Sequence, residues 1–246
     1  MRHFALLSLL TFGLAAQDAP PAPVAAAAPA LTLAQRAQAL PRLSTEAVRQ
    51  LQGELALATE PGKAYAEALA AYTLVSHTRG QDPKGAEALL DRTLAALKPR
   101  RDAESLALQA ACLGLKVGFS PSSGMVLGPR AAGLLEEARG LAPTNPRVLT
   151  FQGVNLLHTP AFFGGGAKAA LPVLQAAVKA AQAEVAPMDP WSPTWGRAES
   201  LAWLAMAEIE AGDLEAARAH VDQSLAVDPT YGFVRVVVVP RLKGTK

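Results

Sequence analysis

The chain has 246 residues, half of them apolar and only 5% aromatic, with Ala the commonest type. So much apolar material in small side chains points to closely packed helices and away from a sandwich or barrel, which needs Val, Ile, Thr and Tyr at alternating positions. With 23 basic against 21 acidic residues and a formal charge of +2, an electrostatic grip on nucleic acid is excluded; the one doublet, Arg100-Arg101, reads as the cationic end of a helix.

The first residues are Met1-Arg2-His3, followed by an almost unbroken apolar run from Phe4 to Leu14 and by small residues at Gly13-Leu14-Ala15-Ala16. A cationic start, a short apolar stretch and a small-residue cleavage site define a secretory signal peptide, expected at 1–16. The stretch is too short to span a bilayer comfortably, so a periplasmic or secreted protein is expected, with no stable membrane insertion after cleavage. Residues 17–30 are Pro and Ala with little else, which predicts a semi-extended, disordered linker. Cys112 is the sole cysteine and allows no intrachain disulfide. Its apolar helical neighbours, Leu106 to Leu115, predict a buried and inert thiol.

From Leu31 onward helical patterns recur. Pro99, Pro143, Pro187 and Pro229 each follow an apolar-periodic helix and stand 44, 44 and 42 residues apart. A period in that range marks stacked helical hairpins. The expected pairs are Ala64 to Thr78 with Pro83 to Leu97, Asp102 to Val117 with Gly128 to Leu141, Pro146 to Leu157 with Ala167 to Glu184, and Thr194 to Ala211 with Leu214 to Val227. One or two further helices are expected within Leu31 to Leu57. The fold class that follows is all-α: a helical-hairpin repeat array, or α-solenoid, of about four hairpins occupying residues 31–231.

The last pair carries a family pattern: Leu201, Leu204, Ala205, Gly212, Ala217, Val221, Leu225 and Pro229. Residues 198–231 resemble the tetratricopeptide repeat. In that family small and large apolar residues interlock two antiparallel helices, Gly closes the turn and Pro stops the second helix. Glu208 departs from the pattern where an aromatic is common, which implies an exposed or polar position, and Ser224 departs where Ala is usual. The two middle units exceed the family's period of about 34 residues. Their extra residues fall in Gly118-Phe-Ser-Pro-Ser-Ser-Gly-Met-Val-Leu-Gly128 and Thr159-Pro-Ala-Phe-Phe-Gly-Gly-Gly166. Such enlarged turns also resemble those of exported bacterial helical-repeat proteins, including solute-transporter accessory subunits.

These turns supply the candidate binding residues Met125, Leu127, Phe162 and Phe163, together with the neighbouring Val126. Apolar clusters on turns either fold back over their own hairpin or meet a ligand or partner. Trp191-Ser-Pro-Thr-Trp195 adds two further candidates, Trp191 and Trp195, which either pack between repeats or offer a stacking surface. A pocket between Phe162-Phe163 and Trp191-Trp195 would mark a small-molecule binder. Gly164-Gly-Gly-Ala-Lys168 at a helix start serves either as a tight turn or as an anion cradle.

Catalysis is poorly supplied. His77 and His158 fall at ends of first helices, where an imidazolium caps carbonyls, and His220 is expected on a solvent face. No metal-ligand spacing, cofactor motif, or set of nucleophile, base and orienter occurs. The tail, 232–246, contains the β-branched run Phe233 to Pro240 and is expected to be extended, either capping the last helix or pairing with a partner. The expected function is non-catalytic recognition of a protein, peptide or ligand in the cell envelope, across a surface lined by first helices and the two enlarged turns. An assembly or transporter-accessory factor is the alternative, and a hydrolase would require a site the motifs do not reveal.

Overall fold

A computed structural model describes residues 30–244; the expected signal peptide, and the linker as far as residue 29, lie outside them. Among the described residues there is no strand, and the chain is an array of antiparallel helical hairpins. After α1 (Leu33–Ala37) and α2 (Thr45–Leu57), the pairs are α3 (Ala64–Thr78) with α4 (Pro83–Leu97) and α5 (Ala103–Phe119) with α6 (Gly124–Leu141). Then follow α7 (Pro146–His158) with α8 (Ala167–Ala183) and α9 (Arg197–Ala211) with α10 (Leu214–Val227). Each hairpin stacks on the next through α4 against α5, α6 against α7 and α8 against α9.

Local chemistry sets the boundaries. Asp82, Asp102, Asn145 and Asp213 each accept a hydrogen bond from a backbone N–H of the first turn, so α4, α5, α7 and α10 begin where the sequence puts an N-cap. Pro99, Pro143, Pro187 and Pro229 all follow the second helices, as the spacing predicts. Two starts differ from expectation by more than one residue. Helix α6 begins at Gly124 rather than Gly128 and carries Pro129 inside, so the Met125 carbonyl receives no helical N–H from that residue. Helix α9 begins at Arg197 rather than Thr194, because Gly196 sits at φ +136°, where a helix cannot run.

Small residues let the helices approach. In α9, Ala198, Ala202 and Ala205 are fully buried, and Gly153 of α7 faces Leu174 of α8 so closely that a Cβ there would lie 2.5 Å from the leucine. The residues singled out for repeat packing fall as their pattern requires. Leu201, Leu204, Ala205, Ala217 and Val221 are buried and Leu225 is half-buried. Gly212 at φ +85° closes the turn, and Pro229 follows α10.

The tail is helical rather than extended. Residues 234–238 form a π-helical stretch that continues into α11 (Val239–Gly244). Tyr231, Val234, Val238 and Leu242 are buried against α9 and α10, a 3-4-4 spacing that makes one helical stripe and covers the apolar end of the array.

The face formed by the first helices is covered by the chain itself. Gln38 donates to the carbonyls of Pro190 and Ser192 and accepts from the Thr194 N–H, while Leu40 beside it is fully buried. Arg42 bridges to Glu199 of α9 at 2.9 Å and to Asp228 beyond α10 at 3.0 Å. Beneath them an aromatic ladder runs from Tyr72 through Phe151 to Trp195, with edge contacts at 5.7 and 5.5 Å. Recognition across an open surface of first helices, as the sequence led one to expect, meets residues 38–43 and 190–195, which already pack against α3, α7 and α9 there.

Candidate functional site

The first helices run parallel, so their starts gather at one edge of the array and their ends at the other. Asn145, N-cap of α7, donates to Glu104 of α5 at 2.8 Å. At this start edge Arg147, 3% exposed, donates to Glu104 and bidentately to Glu184, and its Nη1 reaches the Trp195 carbonyl at 2.8 Å. Burial alone would lower the guanidinium's pKa, but Glu184 and Glu104 together outweigh it and raise the value. The Tyr65 hydroxyl and the Trp195 indole N–H are buried beside this cluster and face each other without a hydrogen bond of good geometry. Every charge here is committed to holding α5, α7 and the α8–α9 linker together, so the cluster is a fastener.

The opposite edge carries the apolar turns. Phe162 and Phe163 sit on a single 3-10 turn after α7, 80% and 57% exposed, with their ring centroids 4.1 Å apart. The backbone of this turn admits only glycine. Gly164 and Gly166 hold φ +85° and +89°, and a Cβ at Gly165 would come 2.1 Å from the Thr159 carbonyl oxygen. The amides of Gly164, Gly165 and Gly166 donate to Ala161, Pro160 and Leu156, so these three close the tight turn and are not free for an anion. On the neighbouring hairpin Met125 and Val126 are 70% and 73% exposed in the first turn of α6, while Leu127 turns inward and packs on the core. His77 and His158 end α3 and α7 at this same edge, and His158 meets Trp203 edge-on at 5.8 Å. Both histidines reach solvent, yet the protein packed around each ring holds its pKa below the ordinary imidazole value. His77 makes its contact with Thr45 Oγ1, at 3.3 Å.

Trp191 and Trp195 do not share that edge. Trp195 is 4% exposed, wedged against Phe151, and Trp191 is half-buried over Gly62. Trp195 therefore offers no stacking surface. Its carbonyl is bound at the start of α7 while Phe162 follows the end of α7, and a 13-residue helix separates the two sites by about 20 Å. That separation rules out the pocket expected between them, and neither of two small cavities, about 250 and 260 Å³, is lined by these aromatics.

One further expectation is corrected: His220, expected on a solvent face, lies half-buried with Nδ1 2.8 Å from the Glu208 carboxylate. Glu208 is buried, so of the exposed or polar position expected there the polar one holds. Burial raises the Glu208 pKa against the opposing pull of His220. Cys112 is fully enclosed, and burial pushes its thiol up to about 12. Among the described residues no group of three or more His, Cys, Asp or Glu is placed to hold a metal ion, and no helix is long and apolar enough to cross a membrane. The arginine fasteners, half-buried Arg42 and buried Arg147, escaped sequence reasoning; their one signal is a cation set directly beside apolar or Pro positions, as in Pro146-Arg147-Val148.

No family model and no curated protein matches the chain. Among solved structures it is similar to the HusA haemophore from Porphyromonas gingivalis, with a TM-score of 0.56 and 23% identity over 72% of this chain and 92% of that one. At this identity the likeness establishes a shared all-helical fold.

Proposed function

We propose that the protein is an exported, non-catalytic binding protein of tetratricopeptide-repeat type, which recognises a partner through the edge where its second and third hairpins turn. The observation that carries this reading is the Phe162-Phe163 pair, held out to solvent on a tight turn whose three glycine amides are all hydrogen-bonded. Met125 and Val126 extend the apolar strip onto the next hairpin. A rigid aromatic pair loses little conformational entropy on binding, which suits it to be an anchor. The test is an affinity pull-down from envelope extract with the mature chain and a Phe162→Ala, Phe163→Ala variant. Recovery of the same partners by both baits refutes the contact role of this turn.

A second reading, capture of haem, draws support from the neighbour's description as a haemophore and from His158. Burial lowers the pKa of that imidazole, which stands four residues before the phenylalanine pair, and so favours the neutral form that can ligate iron. Titrating the protein with haemin tests it: a saturable Soret shift that His158→Ala abolishes supports capture, and an unchanged spectrum refutes it.

A further inference from the structure

Between α4, α5 and α6, on the side of the array away from the covered first-helix face, lies the cavity of about 250 Å³. Its walls are Leu94 of α4, Leu113 of α5, and Leu127 and Leu134 of α6. Gln109, 6% exposed, borders the cavity with its amide nitrogen already donating to the Leu97 and Arg100 carbonyls, so it is fixed in place. The charge around this apolar floor is one-sided. Lys98, Lys116 and Arg130 line it against a single carboxylate, Asp91. Lys116 and Asp91 pair with each other, whereas Lys98 and Arg130 carry no ion pair among the described residues. The two unpaired cations flank the same opening from different elements, Lys98 from the cap just after α4 and Arg130 from α6.

We infer that this cavity binds an amphiphilic monoanion, an aliphatic carboxylate whose tail lies among the four leucines and whose head is held by Lys98 and Arg130. The shape and charge select the class. The volume, below the roughly 300–1,000 Å³ of drug-sized sites, suits a single aliphatic chain laid along the four leucines. A carboxylate matches the guanidinium fork of Arg130, whereas a neutral head leaves both cations uncompensated and a cationic head is repelled. Leu127, grouped by sequence with the turn residues, belongs here instead. The site shares no residue with the Phe162-Phe163 edge and stands independently of the function proposed there.

The probes are decanoate, decanol and decyltrimethylammonium, which share a tail and differ in head, titrated calorimetrically into the full mature chain. Decanoate binds saturably at one site, decanol at least about tenfold more weakly, and the ammonium not at all. Lys98→Gln with Arg130→Gln, both at exposed positions, lowers decanoate affinity by about tenfold or more and brings it down to that of decanol. Ala95→Trp, also exposed and lining the cavity, blocks the tail while circular dichroism reports an unchanged fold. The Phe162→Ala, Phe163→Ala variant binds decanoate like the parent. Absence of saturable decanoate binding, equal affinity for decanol, indifference to the loss of Lys98 and Arg130, or a loss caused by the phenylalanine variant each overturns the inference.

Discussion

Replacing Arg147 by Ala removes the cation that joins Glu104 of α5, Glu184 of the α8–α9 linker and the Trp195 carbonyl. Breaking a buried ion pair from one side costs about 3–5 kcal/mol, because the remaining partner keeps its charge without compensation. Glu104 and Glu184 retain 17% and 23% exposure, so water partly rescues them and the lower end, about 3 kcal/mol, applies. For a domain of this size each kcal/mol moves Tm by roughly 2–4 °C, which gives a fall of about 6–12 °C in a thermal melt followed at 222 nm. The triple variant Arg147→Ala, Glu104→Gln, Glu184→Gln recovers more than half of that loss, since it leaves no orphan charge behind. A single variant melting within about 2 °C of the parent, or a triple variant melting below the single, refutes the fastener role.

Gly153→Ala gains about 1 kcal/mol of helix propensity but drives a Cβ to 2.5 Å from the fully buried Leu174, an overpacking cost of about 1–3 kcal/mol; a net loss of about 1 kcal/mol is expected in urea unfolding, and a gain is the contrary result. Gly165→Ala collides with the Thr159 carbonyl and releases the phenylalanine turn, so limited proteolysis within 159–166 accelerates severalfold while the array stays helical; an unchanged cleavage rate argues against a locked turn. Cys112 stays unreactive toward a thiol reagent at pH 8 until denaturant is added, because burial holds the thiol near 12; rapid labelling of the native protein contradicts this. His77 and His158 have folded-state pKa values below the unfolded 6.5, so the unfolded chain takes protons first, and the stability they contribute above that pH is lost as pH falls through and below it. The His77→Asn, His158→Asn variant flattens the dependence of the urea midpoint between pH 7 and 5, and an unaltered slope speaks against it.

The hairpins were legible because their punctuation is local. Asp82-Pro83 and Asp213-Leu214 are cap and first turn in adjacent letters, and α3, α4 and α10 fall on the residues their patterns mark. Where a boundary depends on backbone conformation the letters misled: Gly196 at φ +136° ends the approach to α9, and α6 starts at Gly124, before the expected Gly128, with Pro129 inside it. The tail was misread for a related cause. A run of valines raises β propensity, yet burial on α9 and α10 is worth more, and the 3-4-4 stripe from Tyr231 to Leu242 was present in the letters. Exposure of the Phe162-Phe163 pair was foreseeable from its glycine flank. The fasteners were not, because Arg42 finds its partners 157 and 186 residues away and nothing near it in the chain names them.

That long-range closure decides where recognition can occur. An array of this kind ordinarily offers the face of its first helices as a groove. Here the apolar and aromatic side chains of that face are already satisfied by Leu40, Trp195 and the residues around them, and Arg42 and Gln38 pin the cover by hydrogen bonds at several points. A ligand entering the groove would first have to displace these contacts, including the Glu199 pair, whose carboxylate is 3% exposed and would be stranded without Arg42. What remains on the outside is unequal. Single exposed apolar residues such as Leu57 or Leu141 are common on any surface and carry no message. Met125 with Val126 at the start of α6, and Phe162 with Phe163 on the turn after α7, are adjacent pairs on consecutive hairpins, and the second turn is held by the hydrogen bonds of its three glycine amides. Closing the groove also stiffens the frame that carries these turns, so the edge keeps its shape without a partner and pays less ordering entropy when one arrives.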